Sequence, residues 1–336
     1  GKDQKQVSEA GPGDIVAVAK LKETKTGDTL CDPSNKIQFK SAKPLSGVVS
    51  YAIVPKSQGD EDKIFSSLSK LMEEDSALTL ERNDETRETV LKGMGQVHIE
   101  TIVERLKRKY GVEVTLTIPK VPYKETIKKT VSVQGKHKKQ SGGHGQYGDC
   151  WVQFEPLPKG SGFEFEDKIV GGVIPKTYIP AVEKGIYEAA ERGVLASYPC
   201  IDFKAVLYDG SYHSVDSSEM AFKIAGSLAF KKAAEQAEPT LLEPIMEVEV
   251  TTPEDFMGDV MGDLNGRRGR VLGMEGKGKN QVVRANVPMS EVLSYAPDLR
   301  SMTGGRGIFT MKFSHYDEVP AQLQQKIIDA AKAEQE

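Results

Sequence analysis

Between residues 46 and 119 the spacing of apolar residues switches between a period of two and one of about 3.6, which restricts the segment to a short list of folds. Val49, Tyr51 and Ile53 alternate as a strand, and Ile64, Phe65, Leu68, Leu71 and Met72 then recur at helical spacing. Short strands follow near Leu78 to Leu80 and Thr89 to Leu91. Ile99, Ile102, Val103 and Leu106 make a second helical stripe, and Val112, Val114, Leu116 and Ile118 alternate with polar residues. The order βαββαβ predicts a ferredoxin-like module.

The same order returns near the end. Met246, Val248 and Val250 alternate, and Phe256, Met257, Val260, Met261 and Leu264 form a helical face. Strands are expected near Arg270 to Leu272 and Val283 to Val287. A helix through Met289, Val292, Leu293, Ala296 and Leu299 comes next, then a strand with Phe309, Met311 and Phe313. Two such modules bracket a middle of about residues 121 to 240. There strands surround a Gly-rich loop, a helix runs through Val182, Ile186 and Ala189, a strand alternates Ile201, Phe203 and Ala205, and a longer helix follows. From Lys2 to about Lys43 short strands alternate with turn signals, as in the tail of a larger β-barrel, because so short a piece buries no core of its own. The fold class expected is α+β and multidomain: a β-barrel remnant, then two ferredoxin-like βαββαβ modules flanking a central α+β domain with Gly-rich tip loops.

At 336 residues, 38% hydrophobic and 28% charged, the chain has the composition of folded, water-soluble domains. No run approaches a membrane span and the start lacks a signal-peptide apolar stretch, so the cytoplasm is expected and no membrane partner. Cys31, Cys150 and Cys200 are far apart, which argues against a disulfide framework and a zinc cluster; His98 and His315 have no ligand-spaced partner, so no metal site is expected. The net charge of −4 leaves nucleic-acid binding to local patches. Linkers near Pro119 to Pro122 and Pro239 to Pro244 are places where the domains either hold or hinge.

The segment Gly135 to Gly148 carries three lysines, two histidines and no acid. It contains Gly143-x-Gly145-x-x-Gly148, but a strand pattern follows, whereas a dinucleotide fingerprint opens a helix. One reading is a solvated loop. The other is a reader of RNA shape: glycines permit close backbone approach, lysines neutralise phosphate, and Gln and Ser bond 2′-hydroxyls. A second loop, Tyr208 to Val215, presents His213 ahead of a helix that Asp216 is expected to cap, with Glu219 closing a capping box. Ser211, His213 and Asp216 also suggest a hydrolytic triad, which their crowding in one turn argues against. Arg267, Arg268 and Arg270, and Arg300 and Arg306, stand beside glycines at element ends, either to grip a phosphate backbone or as solvated charge.

Several strings are familiar in order: Thr26-Gly-Asp-Thr-Leu-Cys-Asp32, Gly93-Met-Gly, Gln140-Ser-Gly-Gly, Gly171-Gly-Val-Ile-Pro175, Gly210-Ser-Tyr-His213, Val215-Asp-Ser-Ser-Glu219, Leu242-Glu-Pro-Ile245 and Gly262-Asp-Leu264. The chain thereby resembles bacterial elongation factor G, or a close paralogue, along essentially its whole length. The resemblance implies the end of domain II at 1–45, domain III at 46–120, domain IV at 121–240, domain V at 241–318 and a C-terminal helix at 319–336. It implies a monomer whose partner is the ribosome, with the domain IV tip entering the decoding site beside tRNA and mRNA to promote translocation. The tip loops would then contact RNA through Lys138, Lys139, Gln140, Ser141, Gly142, Gly143, His144, Gly145, Gln146, Tyr147 and Gly148, together with Ser211, Tyr212 and His213. The arginine turns would face ribosomal RNA. No Gly-x-x-x-x-Gly-Lys-Ser/Thr occurs, so the GTP and magnesium of the parent family are expected outside this chain, which would carry no cofactor and no catalytic residue of its own. His144 stands where the family's translocase tends to carry arginine, a departure that fits a paralogue acting in recycling, stress or ribosome protection.

Overall fold

The structure, a computed structural model, describes residues 5–41, 47, 49–57, 59–140 and 145–334. It is a mixed α+β chain with several sheets. Two of its units have the ferredoxin-like order, and the central sheet lies between them in sequence.

The first unit comprises β1 (Val49–Pro55), α1 (Glu61–Glu74), β2 (Thr79–Asn83), β3 (Glu88–Gly93), α2 (Gln96–Tyr110) and β4 (Val114–Thr117). Its antiparallel sheet has the order β2-β3-β1-β4. The stripes of the helices, Ile64, Leu68, Leu71, Ile99, Ile102 and Leu106, are buried against Ile53, Leu91 and Val114 of the sheet. Gly111 ends α2 in the left-handed region at φ 63°, the conformation that glycine adopts at least cost.

β5 (Lys124–Thr126) leads into the central unit of β6 (Val131–Lys139), β7 (Gln146–Pro156), β8 (Phe163–Asp167), α3 (Ile179–Ala190), β9 (Phe203–Ser211) and α4 (Glu219–Gln236). The sheet order is β6-β7-β9-β8, antiparallel except for the parallel pair β8 and β9 that α3 connects. Both helices cover one face, over a core of Phe154, Phe203, Phe222 and Phe230. Most of the segment read as a Gly-rich loop is therefore strand, paired from Gly135↔Cys150 to Lys139↔Gln146. Strand β9 starts at Phe203, later than the pattern suggested. Asp202 ahead of it turns the chain at φ 59° and accepts the Gly160 and Gly162 N–H groups at 3.0 and 2.9 Å.

Glycines let α4 pack backbone against backbone on two sides. A Cβ at Gly135 would lie 2.1 Å from the Ala225 carbonyl oxygen, and one at Gly148 would lie 2.4 Å from that of Ala221. On the other side, Gly185 of α3 and Gly226 of α4 approach Lys223 O and Val182 O at 2.0 and 2.4 Å by the same measure. Small residues and glycines on opposite faces of α4 thus set the distance between sheet and helices.

The third unit comprises β10 (Thr240–Pro253), a single 3-10 turn (Glu254–Phe256), α5 (Met257–Gly266), β11 (Arg270–Lys277), β12 (Asn280–Pro288), α6 (Met289–Val292), α7 (Tyr295–Met302) and β13 (Ile308–Glu318), in sheet order β11-β12-β10-β13. The helix expected through Met289 to Leu299 is thus two. Pro297 lies in the first turn of α7, where no intrahelical N–H is required, so it favours a fresh start at Tyr295. α8 (Ala321–Ala333) packs back on Leu241, Ala196 and Val319.

The strands expected in the first 45 residues are not found. No strand forms among the described residues from 5 to 41, where Ile15, Val18, Leu30 and Phe39 are exposed and the hydrogen bonds are local turns such as Asp14 N–H to Gly11 O. Without further strands beside it this stretch has nothing against which to bury its apolar side chains, and no barrel closes. The second Pro-rich linker is held. β10 runs through it with Leu241, Leu242 and Glu243 buried, and β5 pairs with its first residues. Among the described residues no helix is long and apolar enough to cross a membrane.

β5 also carries a fully buried carboxylate, Glu125. It accepts backbone N–H groups of Val194 (2.7 Å), Leu195 (3.0 Å), Ala196 (2.9 Å) and Tyr198 (3.2 Å). One side chain thus ties the loop after α3 to the strand that extends the third unit's sheet. Cys150 and Cys200 are free and buried, and burial pushes the Cys150 thiol up to about 12.

Two substitutions test these contacts. Glu125→Gln replaces an acceptor oxygen by an NH₂ facing N–H donors, and should lower stability by roughly 3 kcal/mol in urea titrations. Gly148→Ala forces a methyl group against the α4 backbone and should cost about 3 kcal/mol in the same measurement. A change within about 0.5 kcal/mol for either, the size of a neutral surface substitution, contradicts the corresponding assignment.

Candidate nucleic-acid interface

The β6–β7 hairpin and the β9–α4 loop meet at one end of the central unit. Lys136, Lys138 and Lys139 are exposed along β6, an edge strand. The Lys136 ammonium stands 5.7 Å over the Tyr147 ring, and His137 Nε2 lies 2.9 Å from Gln146 Oε1. Ser141, Gly142, Gly143 and His144 lie outside the described residues. Gln140 and Gly145 flank them.

Three hydrogen bonds lock the loops together. The Tyr147 N–H donates to Asp216 O at 2.8 Å, the Ser217 hydroxyl donates to Tyr147 O at 2.9 Å, and the Gly145 N–H donates to Asp216 Oδ1 at 3.0 Å. A Cβ at Gly145 would come within 2.9 Å of the Asp216 carboxylate, so glycine is needed there for close approach. The His213 N–H donates to Ser217 Oγ at 2.9 Å, while His213 Nδ1 accepts the N–H groups of Asp216 and Val215 at 3.2 and 3.3 Å. Acceptance at Nδ1 assigns the ring proton to Nε2, leaving a donor on a half-exposed imidazole. Tyr212 is exposed beside it.

Beneath the tip runs a polar chain. The Tyr147 hydroxyl pairs with Ser211 Oγ at 2.8 Å, Ser211 Oγ donates to Asp149 Oδ2 at 2.7 Å, and Gln134 Nε2 donates to Asp149 Oδ1 at 2.7 Å. Asp149 is buried and each of its carboxylate oxygens has a donor. The sequence reading missed Asp149, Gln134 and Ser217. Ser217 lies in the polar run Val215 to Glu219, whereas Gln134 on β6 and Asp149 on β7 carried no local signal.

Several expectations change. Ser211 faces Asp149, which rules out a triad in which His213 activates it. Asp216 is not the cap of α4. Its carboxylate is taken by Gly145, and Ser218 is the N-cap, its hydroxyl accepting the Ala221 N–H at 3.2 Å. Glu219 is then the first helical residue, two short of the capping-box position. Gly148 is buried under α4 and cannot touch a ligand. The glycine pattern ending there leads into β7 and opens no helix, so it offers no phosphate cradle of the nucleotide-binding kind.

The arginines divide. Arg267 donates to Asp263 (2.8 Å), Asp298 (2.6 Å) and the Glu291 carbonyl (2.9 Å), and lies 5.0 Å from the Tyr295 ring centre. Arg268, at φ 59°, forks onto buried Glu243 at 2.6 and 2.9 Å and reaches Glu291 at 3.1 Å. The hydrogen bond to Glu243 raises its pKa further, so the charge is permanent. Both residues brace the third unit. The expectation that they grip RNA gives way, because carboxylates one turn away and on β10 consume their donors. Arg270, Arg300 and Arg306 are exposed. Arg306 stacks 4.5 Å over Phe256, and Arg300 approaches Gly95 of the first unit.

Asp216→Ala should accelerate amide exchange at Gly145 by about tenfold, the loss of one charge-assisted hydrogen bond of about 1.5 kcal/mol. Exchange at the wild-type rate would show that the loops are not coupled through this carboxylate.

Comparison with known proteins gives one answer along the chain. Family models described as elongation factor G domain 2, domain III, domain IV and C-terminus match residues 1–33, 46–118, 119–238 and 240–327, respectively. A crystal structure of a protein from Thermus thermophilus is 50% identical, with a TM-score of 0.79, over 91% of this chain and 46% of that one. The chain therefore spans about half the length of that solved protein.

Proposed function

Since this chain belongs to the elongation factor G family of translation factors, we propose that it is the ribosome-binding part of a translational GTPase that promotes tRNA–mRNA translocation, with the tip of the central unit entering the decoding site. The observation that carries this reading is the joining of two loops into one tip by Asp216 and Ser217, with the His213 Nε2–H and the β6 lysines presented outward. Donors held by backbone bonds suit contact with phosphate and 2′-hydroxyl oxygens, which recognises RNA by shape more than by base. A tip braced on a packed sheet can occupy space vacated by a moving tRNA and block its return. This role needs no covalent chemistry.

Ribosomal RNA and the tRNA–mRNA pair are the proposed partners of a cytoplasmic monomer, with Arg270, Arg300 and Arg306 as the arginines available to ribosomal RNA. The GTP and magnesium that drive the family do not fit the residues present, since the glycine-rich run enters a strand. Their binding is proposed to lie in a part of the protein beyond this chain.

Toeprinting of messenger movement on pre-translocation ribosomes, with the GTPase-containing protein, tests the assignment. Native protein should advance the messenger by one codon. His213→Ala should slow this on the order of tenfold, the loss of one contact of about 1.4 kcal/mol in the transition state. If the native protein binds ribosomes and leaves the messenger in place, translocation is withdrawn in favour of a recycling, stress or protection role.

A further inference from the structure

The face of the central sheet opposite α3 and α4 carries the chain's single tryptophan. Val133 of β6 and Cys150, Val152 and Phe154 of β7 belong to the helix-covered core, so the alternate residues stand on the other face. These are Gln134, Lys136 and Lys138 on β6, in register with Trp151, Asp149 and Tyr147 on β7. Trp151 keeps 37% of its surface in solvent, and so does Tyr208, the extra residue of the β9 bulge opposite it. Since β7 is an interior strand of its sheet, the indole is presented from a backbone paired on both sides.

A lone exposed aromatic is ordinary on a protein surface, so its surroundings decide what this one does. Lys136 and Lys138 lie about 7 Å apart along β6. Both are exposed, and neither has a carboxylate partner among the described residues. The acid beside them, Asp149, is buried and takes its donors from Ser211 and Gln134. The other acids lie beyond Trp151 or toward β8. Glu166 pairs with Lys204 at 2.6 Å, Glu155 accepts from Gln153 at 2.7 Å, and Asp209 and Glu164 are exposed on β9 and β8. The face is thus positive along β6 and negative along β8 and β9. A polyanion is thereby directed onto the half formed by β6 and β7, which runs on into the tip hairpin.

We propose that the β6–β7 half of this face is a platform for single-stranded RNA, on which one base stacks on the Trp151 indole while Lys136 and Lys138 neutralise the phosphates that lead toward the tip. Every base has a face to stack, so the platform selects no sequence. A duplex keeps its base faces inside the helix and cannot use the indole. The inference takes RNA as the class of ligand from the function proposed above, and adds to the tip loops a site on the sheet itself.

With one tryptophan in the whole chain, indole emission reports this site alone. Titration with an oligouridylate on the order of ten nucleotides long should quench it saturably, and an RNA duplex of the same length should not. Replacing Lys136 and Lys138 together by alanine should reduce the slope of log affinity against log salt by about 1.4, the share of two phosphate contacts on a single strand. Followed by anisotropy of a labelled oligouridylate, Trp151→Ala should weaken binding roughly tenfold and Trp151→Phe should restore most of it. All three positions are exposed, so these variants leave the core intact. If toeprinting shows no messenger movement while quenching persists, translocation falls and the platform stands. Oligouridylate binding without quenching, equal quenching by the duplex, or native affinity in a folded Trp151→Ala variant overturns the platform whatever the toeprint shows.

Discussion

The arrangement of the two C-terminal units rests on a buried anion. Glu125 gives up water for a set of peptide N–H donors, and a carboxylate without them would not survive burial. The donors belong to the loop that follows α3, while Glu125 belongs to a strand that pairs with β10. One side chain thus joins the packing of the central unit to the sheet of the third, and β10 itself runs across the junction without a break. The central unit is thereby tied to the third unit's sheet through both a side chain and a continuous strand. Arg268 on Glu243 repeats the device: a buried carboxylate on β10 holds a turn by filling its hydrogen-bonding capacity.

On that base the tip is built by close approach. Gly135 and Gly148 admit α4 onto the sheet, and Gly145 admits the Asp216 carboxylate, so neighbouring glycines serve two different contacts. Flexibility and direct access for RNA are not what Gly148 provides. The helix start that follows fixes the second loop, and Asp216 and Ser217, just ahead of the cap, reach across to the hairpin. The histidine is oriented by backbone amides of its own turn, which leaves its outward nitrogen as a donor.

The arginine turns show the opposite outcome. Arg267 and Arg268 look in sequence like the neighbouring Arg270, with glycines around all of them. Only the fold brings Asp263, Asp298, Glu243 and Glu291 around the first two and none of these onto the third. Their neighbours in space come from α5, β10, α6 and α7, elements spread widely along the chain.

Periodicity alone determined the two ferredoxin-like orders and most of their cores, because burial on one face writes a period of two or of about 3.6 directly into the chain. The ordered strings also carried the family. Only the tertiary structure decided which glycines face a helix, why Asp216 holds Gly145 and leaves the cap to Ser218, which arginines are already spent, and that Glu125 is buried. Each of these depends on a partner many residues away, and no local pattern records the distance between segments that meet only when the sheets and helices pack.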